Sequence, residues 1–300
     1  MAMLLVCAVD LGKRYGKVWG LRSATFSFRK GEVGVLLGPN GAGKTTTVKI
    51  LATLLKPSKG KATVLGYDVV RDYKRIRKLI SYMPQEGAVD RNWTPLEAVM
   101  WFLVARGWSL GDAKQEAKAW LERLGLWDRR NDVCWKLSGG QQRRVLVAMC
   151  LAASSELIML DEPTVGLDAE SRYEVWKVLR STVREGATVL MTTHNMEEAE
   201  MLADSVVLLR EGTVAAQGSP KELLAKLPYD YKIVVENSGL EALPYKTLNV
   251  GDRSVVYVRE DELEQLVAEL SAKVKVFSVK PVGLEDAYLY LTGGGTRDAG

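Results

Sequence analysis

Two hydrophobic patterns near the start of the chain predict strands with different surroundings. In "ATFSFR" at 24–29, Phe26 and Phe28 point to one side and Ser27 points to the other. This period of two is typical of a strand with one covered face. By contrast, "VGVLLG" at 33–38 is apolar throughout, which predicts a strand buried on both faces.

The continuous apolar pattern recurs later in the chain, with helical stretches between the runs. "LIML" at 157–160 and "TVLM" at 188–191 are short runs of this kind. Buried strands that alternate with helices are typical of a mainly parallel sheet that helices cover on both sides. The pattern therefore predicts an α/β fold.

Residues 94–135 have helical periodicity and predict a helical subdomain, spanning about 86–150, inserted between strands. Apolar residues recur at helical spacing in two groups, which are Leu96, Val99, Met100, Leu103 and Val104, and then Ala117, Trp120, Leu121 and Leu124. Six of the eight tryptophans fall in or beside this region: Trp93, Trp101, Trp108, Trp120, Trp127 and Trp135. We expect most of them to pack in the subdomain core and one or two to anchor a partner.

A second boundary is predicted near "AQGSPKELLAKLPYD" at 216–230, where turn residues, a short helix and Pro228 interrupt the pattern. The chain is then expected to contain a large domain over 1–220 and a small α+β domain over 229–292. The small domain has strand-like "YKIVVE" and "SVVYVR" before the helical "DELEQLVAELSAKV". The tail over 293–300 is expected to be disordered.

The composition is that of an ordinary folded protein, with 47% apolar and 26% charged residues. The net charge of +4 comes from 41 basic and 37 acidic side chains. This excess is too small to favour a nucleic-acid partner. No uncharged segment approaches the ~18 residues of a membrane helix, and the separated cysteines fit a reducing compartment.

The stretch "GPNGAGKT" at 38–45 satisfies the pattern G-x-x-x-x-G-K-[ST], with a buried strand before it and a helix after it. Such a loop binds phosphates because its glycines turn successive N–H groups inward and the helix adds its positive end. Lys44 is expected to reach the β- and γ-phosphates, and the Thr45 hydroxyl to ligate Mg²⁺. The predicted nucleotide-binding residues are Gly38, Pro39, Asn40, Gly41, Ala42, Gly43, Lys44, Thr45 and Thr46.

Three polar residues follow two of the other buried strands. Asp161 and Glu162 end "LIMLDEP", and His194, the one histidine, ends "VLMTTHN". We expect all three beside the phosphate loop, because ligands bind at the carboxyl edge of such sheets. Asp161 is expected to hold Mg²⁺, Glu162 to polarise the attacking water, and His194 to hydrogen-bond the γ-phosphate. The sequence lacks the N-K-x-D of guanine-specific P-loop proteins, which favours ATP.

A second glycine-rich stretch, "LSGGQ" at 137–141, also has the properties of an anion site. Ser138 can cap a helix that begins near Gly140, and the bare backbone leaves N–H donors free. Together with the phosphate loop, "LIMLDE" and His194, this stretch resembles the ATP-binding cassette (ABC) ATPases. The resemblance covers roughly residues 3–220.

The resemblance implies a P-loop NTPase core of the ABC ATPase type, with a mainly parallel sheet and an antiparallel β edge. It also implies a reaction centre shared between two chains. In the family, the LSGGQ stretch of one subunit closes on the nucleotide held by another. Here that stretch supplies Ser138, Gly139, Gly140 and Gln141. The expected partner is a second ATP-binding subunit in a head-to-tail sandwich, with a second copy of this chain as the first expectation and a paralogue as the alternative.

Further residues carry over from the family by matching motifs. Tyr15 in "KRYG" resembles the aromatic residue that stacks on adenine, a contact worth roughly 1–3 kcal/mol. Gln85 in "YMPQE" resembles the glutamine that touches Mg²⁺ and the attacking water, and Asp168 in "VGLD" resembles a residue that contacts the opposing subunit. The resulting catalytic set is Glu162, His194, Gln85 and Lys44, and the resulting metal set is Thr45, Gln85 and Asp161.

The end of the chain, with "AAQGSPKELL" before a small domain that ends in "GLEDAYLYLTG", resembles the single-cassette ATPases of ABC-2-type drug and antibiotic exporters. In those systems the transmembrane permease subunits are separate chains. The resemblance implies an ATPase that drives transport, with export as the expected direction. It also implies a cytoplasmic protein on the inner face of the cell membrane.

Two alternative functions are weaker. A cassette ATPase of translation or DNA maintenance usually has two cassettes or a long coiled-coil insertion, whereas about ninety residues separate the phosphate loop from LSGGQ here. A small-molecule kinase would leave LSGGQ unexplained.

Overall fold

The computed structural model describes residues 3–237 and 244–293. It divides the chain into two compact units, Met1–Gln217 and Gly218–Gly300. The tail predicted over 293–300 lies outside the described residues, apart from Gly293.

The first unit is built on a ten-stranded sheet. In chain order its strands are β1 (Leu4–Tyr15), β2 (Val18–Arg29), β3 (Val33–Leu37), β4 (Lys59–Val64), β5 (Tyr67–Asp68), β6 (Ile80–Met83), β7 (Leu157–Asp161), β8 (Val189–Thr193), β9 (Ser205–Arg210) and β10 (Thr213–Gly218). Across the sheet the order is β5-β4-β1-β2-β10-β9-β3-β8-β7-β6.

The helices of this unit lie between those strands. They are α1 (Lys44–Leu51), α2 (Tyr73–Leu79), α3 (Pro95–Ala105), α4 (Leu110–Arg123), α5 (Gly139–Ala152), α6 (Ala169–Arg184) and α7 (Met196–Leu202). Among the described residues, no helix has the length and apolar character that crossing a membrane requires.

The two hydrophobic patterns correspond to two halves of the sheet. β3, β7 and β8 consist entirely of buried residues, and they pair in parallel with one another and with β6 and β9. β1, β2, β4 and β5 form an antiparallel half, in which β2 alternates between buried and exposed positions. The predicted α/β class with an antiparallel edge is confirmed.

The parallel half brings three loops to one edge of the sheet. The register pairs Leu37 at the end of β3 with Thr193 at the end of β8, and Asp161 at the end of β7 with Thr192. Because these strands run in the same direction, the loops that follow them leave from the same edge. This edge therefore carries the phosphate loop, Glu162 and His194.

The helical subdomain is formed by α3, α4 and the first part of α5, which pack on one another. The prediction that most of its tryptophans are core residues is wrong: of the six, Trp120 alone is buried, whereas Trp93, Trp101 and Trp135 are exposed by 40%, 43% and 54%. The buried positions of these helices are occupied mainly by small residues and leucines. Among them are Ala98, Ala113, Ala117, Leu103 and Leu121.

The second unit is a small α+β structure. Its strands are β11 (Tyr231–Glu236), β12 (Thr247–Val250), β13 (Arg253–Val258) and β14 (Val276–Pro281), and its helices are α8 (Pro220–Leu224), α9 (Leu263–Lys273) and α10 (Leu284–Leu291). The strands pair antiparallel in the order β12-β13-β11-β14. Ile233 and Val256 of the sheet pack with Leu266 of α9 in its core.

Candidate functional site

The loop between β3 and α1 bounds a cavity of about 330 Å³. The residues that line it are Gly20, Asn40, Gly41, Gly43, Lys44, Thr45, Thr46, Gln85 and Glu162. Gly43 has φ +101, a left-handed conformation that favours glycine. Gly38 is needed because a Cβ there would lie 2.3 Å from the Leu209 carbonyl oxygen. Helix α1 begins without a side-chain cap, so its first N–H groups can receive an anion.

The Lys44 ammonium lies between this loop and a carboxylate. Its Nζ donates to the carbonyl oxygens of Gly38 at 2.7 Å and Pro39 at 3.2 Å. It also lies 3.2 Å from Oε1 of Glu162, and both side chains are about 95% buried. A phosphate group in the loop would compete with Glu162 for this charge.

Oxygen atoms from three segments converge beside the start of α1. The Thr45 hydroxyl lies 3.2 Å from Oδ1 of Asp161 and 3.3 Å from Oε1 of Gln85. Asp161 is completely buried, and its Oδ1 accepts a 2.5 Å hydrogen bond from Thr192. Its Oδ2 has no hydrogen-bond partner within the described chain, which is costly for a buried carboxylate oxygen. This donor set fits a hard cation such as Mg²⁺.

Glu162 is held on both sides and through its backbone. Its Oε2 lies 2.9 Å from Nδ1 of His194, whose ring is half exposed. The backbone of Glu162 has φ +53, which costs about 1–3 kcal/mol for a residue other than glycine. Its N–H donates to the Thr192 hydroxyl at 3.0 Å. The carboxylate is thereby fixed at the rim of the cavity.

The LSGGQ stretch lies apart from this cavity in the same chain. The Ser138 hydroxyl accepts from the Gln141 N–H at 3.2 Å, and the Gln141 side chain accepts from the Ser138 N–H at 2.9 Å. The predicted serine cap is thus present, with α5 beginning at Gly139. Gly139 is exposed, and a Cβ on it would have no atom within 4 Å. Packing within the described chain does not explain this glycine.

Tyr15 and Asp168 also lie outside the cavity lining. Tyr15 ends β1 and is 46% exposed. Its ring lies against Gly20, where a Cβ would approach the ring to 2.7 Å. Since Gly20 lines the cavity, Tyr15 stands at the cavity rim. Asp168 caps α6 by accepting from the Ser171 N–H at 2.8 Å, and this hydrogen bond lowers the pKa of the carboxyl.

Comparison with known proteins agrees with this geometry. Residues 21–165 match the family described as ABC transporter. The chain is 36% identical over 274 residues to the daunorubicin/doxorubicin resistance ATP-binding protein DrrA of Streptomyces peucetius, an alignment that covers 86% of this chain and 83% of that protein. The chain belongs to the ABC transporter ATP-binding proteins.

Other members of the ABC family are similar over nearly their whole length. The linearmycin resistance protein LnrL of Bacillus subtilis is 33% identical, with 97% of this chain and 99% of that protein covered. A solved structure described as the ATP-binding subunit of an ABC transporter has a TM-score of 0.67 at 27% identity, and the match covers 74% of this chain and 92% of that one. A dimeric post-hydrolysis cassette bound to ADP and Pi has a TM-score of 0.66 at 25% identity, with 72% and 98% covered.

Membership of the ABC family confirms the predicted function class. The chain is an ATP-binding subunit that hydrolyses ATP to drive transport. The structure brings the P-loop, Gln85, Asp161, Glu162 and His194 to one sheet edge, and it leaves LSGGQ and Asp168 outside the cavity.

Sequence reasoning missed several residues around the ABC site. Gly20 carries a recognisable signal, since a glycine inside a strand often marks a close approach. Thr192 could have been found as a polar residue in the last positions of an otherwise apolar strand, two residues before His194. Arg143 and Glu198 are charged residues at buried helix positions, which a sequence pattern does not distinguish from solvated ones. Glu198 accepts hydrogen bonds from Thr164 at 2.7 Å and from the Trp176 ring at 2.8 Å.

Replacing Tyr15 by alanine is expected to weaken ATP binding about 5- to 150-fold, because a stacked base is worth roughly 1–3 kcal/mol. Tyr15→Phe keeps the ring and is the matched control, which is expected to bind ATP like the wild type. Isothermal titration with ATP and with inorganic triphosphate separates a contact to the base from a contact to the phosphates, because inorganic triphosphate has no base. An equal loss for both ligands would mean that Tyr15 does not contact the base.

Proposed function

We propose that this ABC ATPase works as a dimer of two copies, with each nucleotide held between the P-loop of one copy and the LSGGQ stretch of the other. The observation that carries this proposal is Gly139, an exposed glycine at a helix start with open space around it. No atom of the described residues occupies that space, so it is open to a molecule from outside the chain. A phosphate there would meet the N-terminal N–H groups of α5.

The residues around Thr45 support Mg²⁺ as the cofactor. Thr45, Gln85 and Asp161 would hold the ion, and the unpartnered Oδ2 of Asp161 is the oxygen that lacks a ligand without it. The chemistry that Mg²⁺ supplies when bound is neutralisation of charge on the phosphate oxygens.

Hydrolysis in this arrangement is an in-line attack of water on the γ-phosphorus. Glu162 accepts the proton of the water as the new P–O bond forms and the bond to the ADP oxygen breaks. Lys44, released from Glu162 by the triphosphate, stabilises the phosphate charge. His194 orients Glu162 through the 2.9 Å contact, and the exposed side of its ring contacts the γ-phosphate. In this proposal, Asp168 contacts the opposing subunit.

The transport partners proposed for this ATPase are separate transmembrane permease subunits, and the proposed direction is export. The similar proteins support this, since their names describe drug resistance in Streptomyces peucetius and Nod factor export in Burkholderia orbicola. Binding to a permease would hold the ATPase on the inner face of the membrane. In this proposal 1–220 is the nucleotide-binding domain, 86–150 its helical part and 229–292 an accessory domain.

The test of the shared site is the mass of the protein in solution. Multi-angle light scattering of Glu162→Gln is expected to show a dimer in Mg-ATP and a monomer in Mg-ADP, because ATP binds but is not consumed. The matched control, Lys44→Ala, lacks the charge that holds the triphosphate and is expected to stay monomeric. A Glu162→Gln protein that remains monomeric at saturating Mg-ATP would contradict the proposal.

A further inference from the structure

Arg143 joins two segments of the reaction centre through their backbones. Its Nη1 donates to the Gln85 carbonyl oxygen at 2.7 Å. Its Nη2 donates to the carbonyl oxygens of Asp161 at 2.8 Å and Glu162 at 2.6 Å. Arg143 lies on α5, Gln85 on the loop after β6, and the two acidic residues at the end of β7. One guanidinium thus links α5 to two other segments of the fold.

The environment of Arg143 is unfavourable for a cation. The residue is 9% exposed, and within the described chain it forms no salt bridge with a carboxylate. Burial lowers the pKa of the guanidinium, although the charges of Asp161 and Glu162 oppose this effect. Its Nε has no hydrogen-bond partner among the described residues. Because burying a cation without an ion pair costs free energy, Arg143 depends on its hydrogen bonds to the three carbonyl oxygens to hold its charge here.

We propose that Arg143 is a positioning residue for hydrolysis, which holds the backbone of Gln85 at a fixed separation from that of Glu162. This rests on the proposed function, in which Gln85 and Glu162 meet the attacking water from two sides. The guanidinium bonds to the backbone carbonyl groups of both Gln85 and Glu162. Its loss therefore lets the loop after β6 move away from the end of β7.

The shape of the guanidinium explains why arginine is used. Its planar fork directs Nη1 to one segment and Nη2 to the other at the same time, whereas a lysine ammonium is a single point of charge. Arg143→Lys can therefore bond to one segment and keep the charge, but it cannot set the separation. Arg143→Gln removes both the charge and the fork.

Arg106, the residue directly after α3, offers a matched control because it bonds to β6, the strand that precedes the loop of Gln85. Its Nη2 donates to the Ile80 carbonyl oxygen at 2.9 Å and to the Ser155 hydroxyl at 3.2 Å. Arg106 therefore fixes the beginning of β6, while Arg143 fixes the loop after its end. Replacing either arginine by glutamine removes hydrogen bonds to backbone of the same region, but only Arg143 bonds to residues of the reaction centre.

The experiment is steady-state ATPase kinetics of the full chain, with activity normalised to the folded fraction from circular dichroism. For Arg143→Gln, kcat is expected to fall about 10²-fold with the KM for ATP nearly unchanged, because a displacement of about 1 Å costs this much. Arg143→Lys is expected to fall in between. Arg106→Gln is expected to keep kcat within about twofold of the wild type. Combined with Glu162→Gln, Arg143→Gln should still dimerise in Mg-ATP.

Several outcomes would overturn the assignment: a kcat for Arg143→Gln within about twofold of the wild type, a loss confined to KM, or an equal loss in Arg106→Gln. If Arg143→Gln does not fold, Arg143→Lys decides alone, and wild-type kcat in that variant overturns the proposal. Failure of the wild-type protein to hydrolyse Mg-ATP, or of Glu162→Gln to dimerise, would instead contradict the proposed function.

Discussion

Replacing Glu162 by glutamine is expected to lower the turnover of ATP by about 10²–10⁴-fold, the usual contribution of a general base. The amide keeps the shape of the side chain but cannot take a proton from water. Lys44 lies 3.2 Å from Glu162, and a triphosphate in the loop would compete for the same charge, so ATP binding is expected to be retained or strengthened. Phosphate release measured in single-turnover conditions separates the chemical step from product release.

Glu198→Gln is the matched control for this prediction. Glu198 is completely buried and accepts hydrogen bonds from Thr164 and Trp176. Burial raises the pKa of its carboxyl, so a neutral amide is well suited to the same place. The control is expected to keep turnover within about threefold of the wild type. Equal losses in the two variants would argue against Glu162 as the base.

Replacing Gly139 by aspartate is expected to abolish hydrolysis while leaving the single chain folded. The new side chain would enter open space, and an acidic residue in the first turn of a helix is favourable. The phosphate of a nucleotide bound to a second copy, however, would meet a negative charge beside the N–H donors at the start of α5. Because the new carboxylate would keep the phosphate away from these donors, the loss is expected to be at least that of one missing donor, about 10²–10³-fold in turnover. Titration is expected to show normal ATP binding to the P-loop.

Mixing two inactive variants gives the sharpest test of the shared site. Lys44→Ala destroys a P-loop, and Gly139→Asp destroys an LSGGQ stretch. A mixed dimer has one site with both defects and one with neither, so an equal mixture is expected to recover up to about a quarter of wild-type activity. A cis mechanism predicts that Gly139→Asp is active by itself. That result, in the unmixed variant, would contradict the two-chain arrangement.

Several elements of this protein could be predicted from local pattern. The runs at 33–38, 157–160 and 188–191 are apolar because both faces of their strands are buried, and the structure places all three in the parallel half of the sheet. The P-loop and the Ser138 cap depend on glycine conformation and on short-range hydrogen bonds. Such features need only a few neighbouring residues, so their signals are contiguous in the chain.

The tryptophans and the buried charges required the folded chain. Trp93, Trp101 and Trp135 have the apolar character of core residues, but the buried positions of α3, α4 and α5 are occupied mainly by smaller side chains, and these three rings are exposed. Gly20 matters only because the ring of Tyr15 arrives there from another strand.

The sequence by itself determined the fold class, the nucleotide loop and the edge of the sheet where the chemistry belongs, since each follows from periodicity or from a contiguous motif. Tertiary structure decided which charges meet at that edge. Arg143 is 58 residues from Gln85 and 18 from Asp161 along the chain, and only the packing of α5 against the ends of β6 and β7 joins them. Contacts of this kind depend on distances that sequence spacing does not encode.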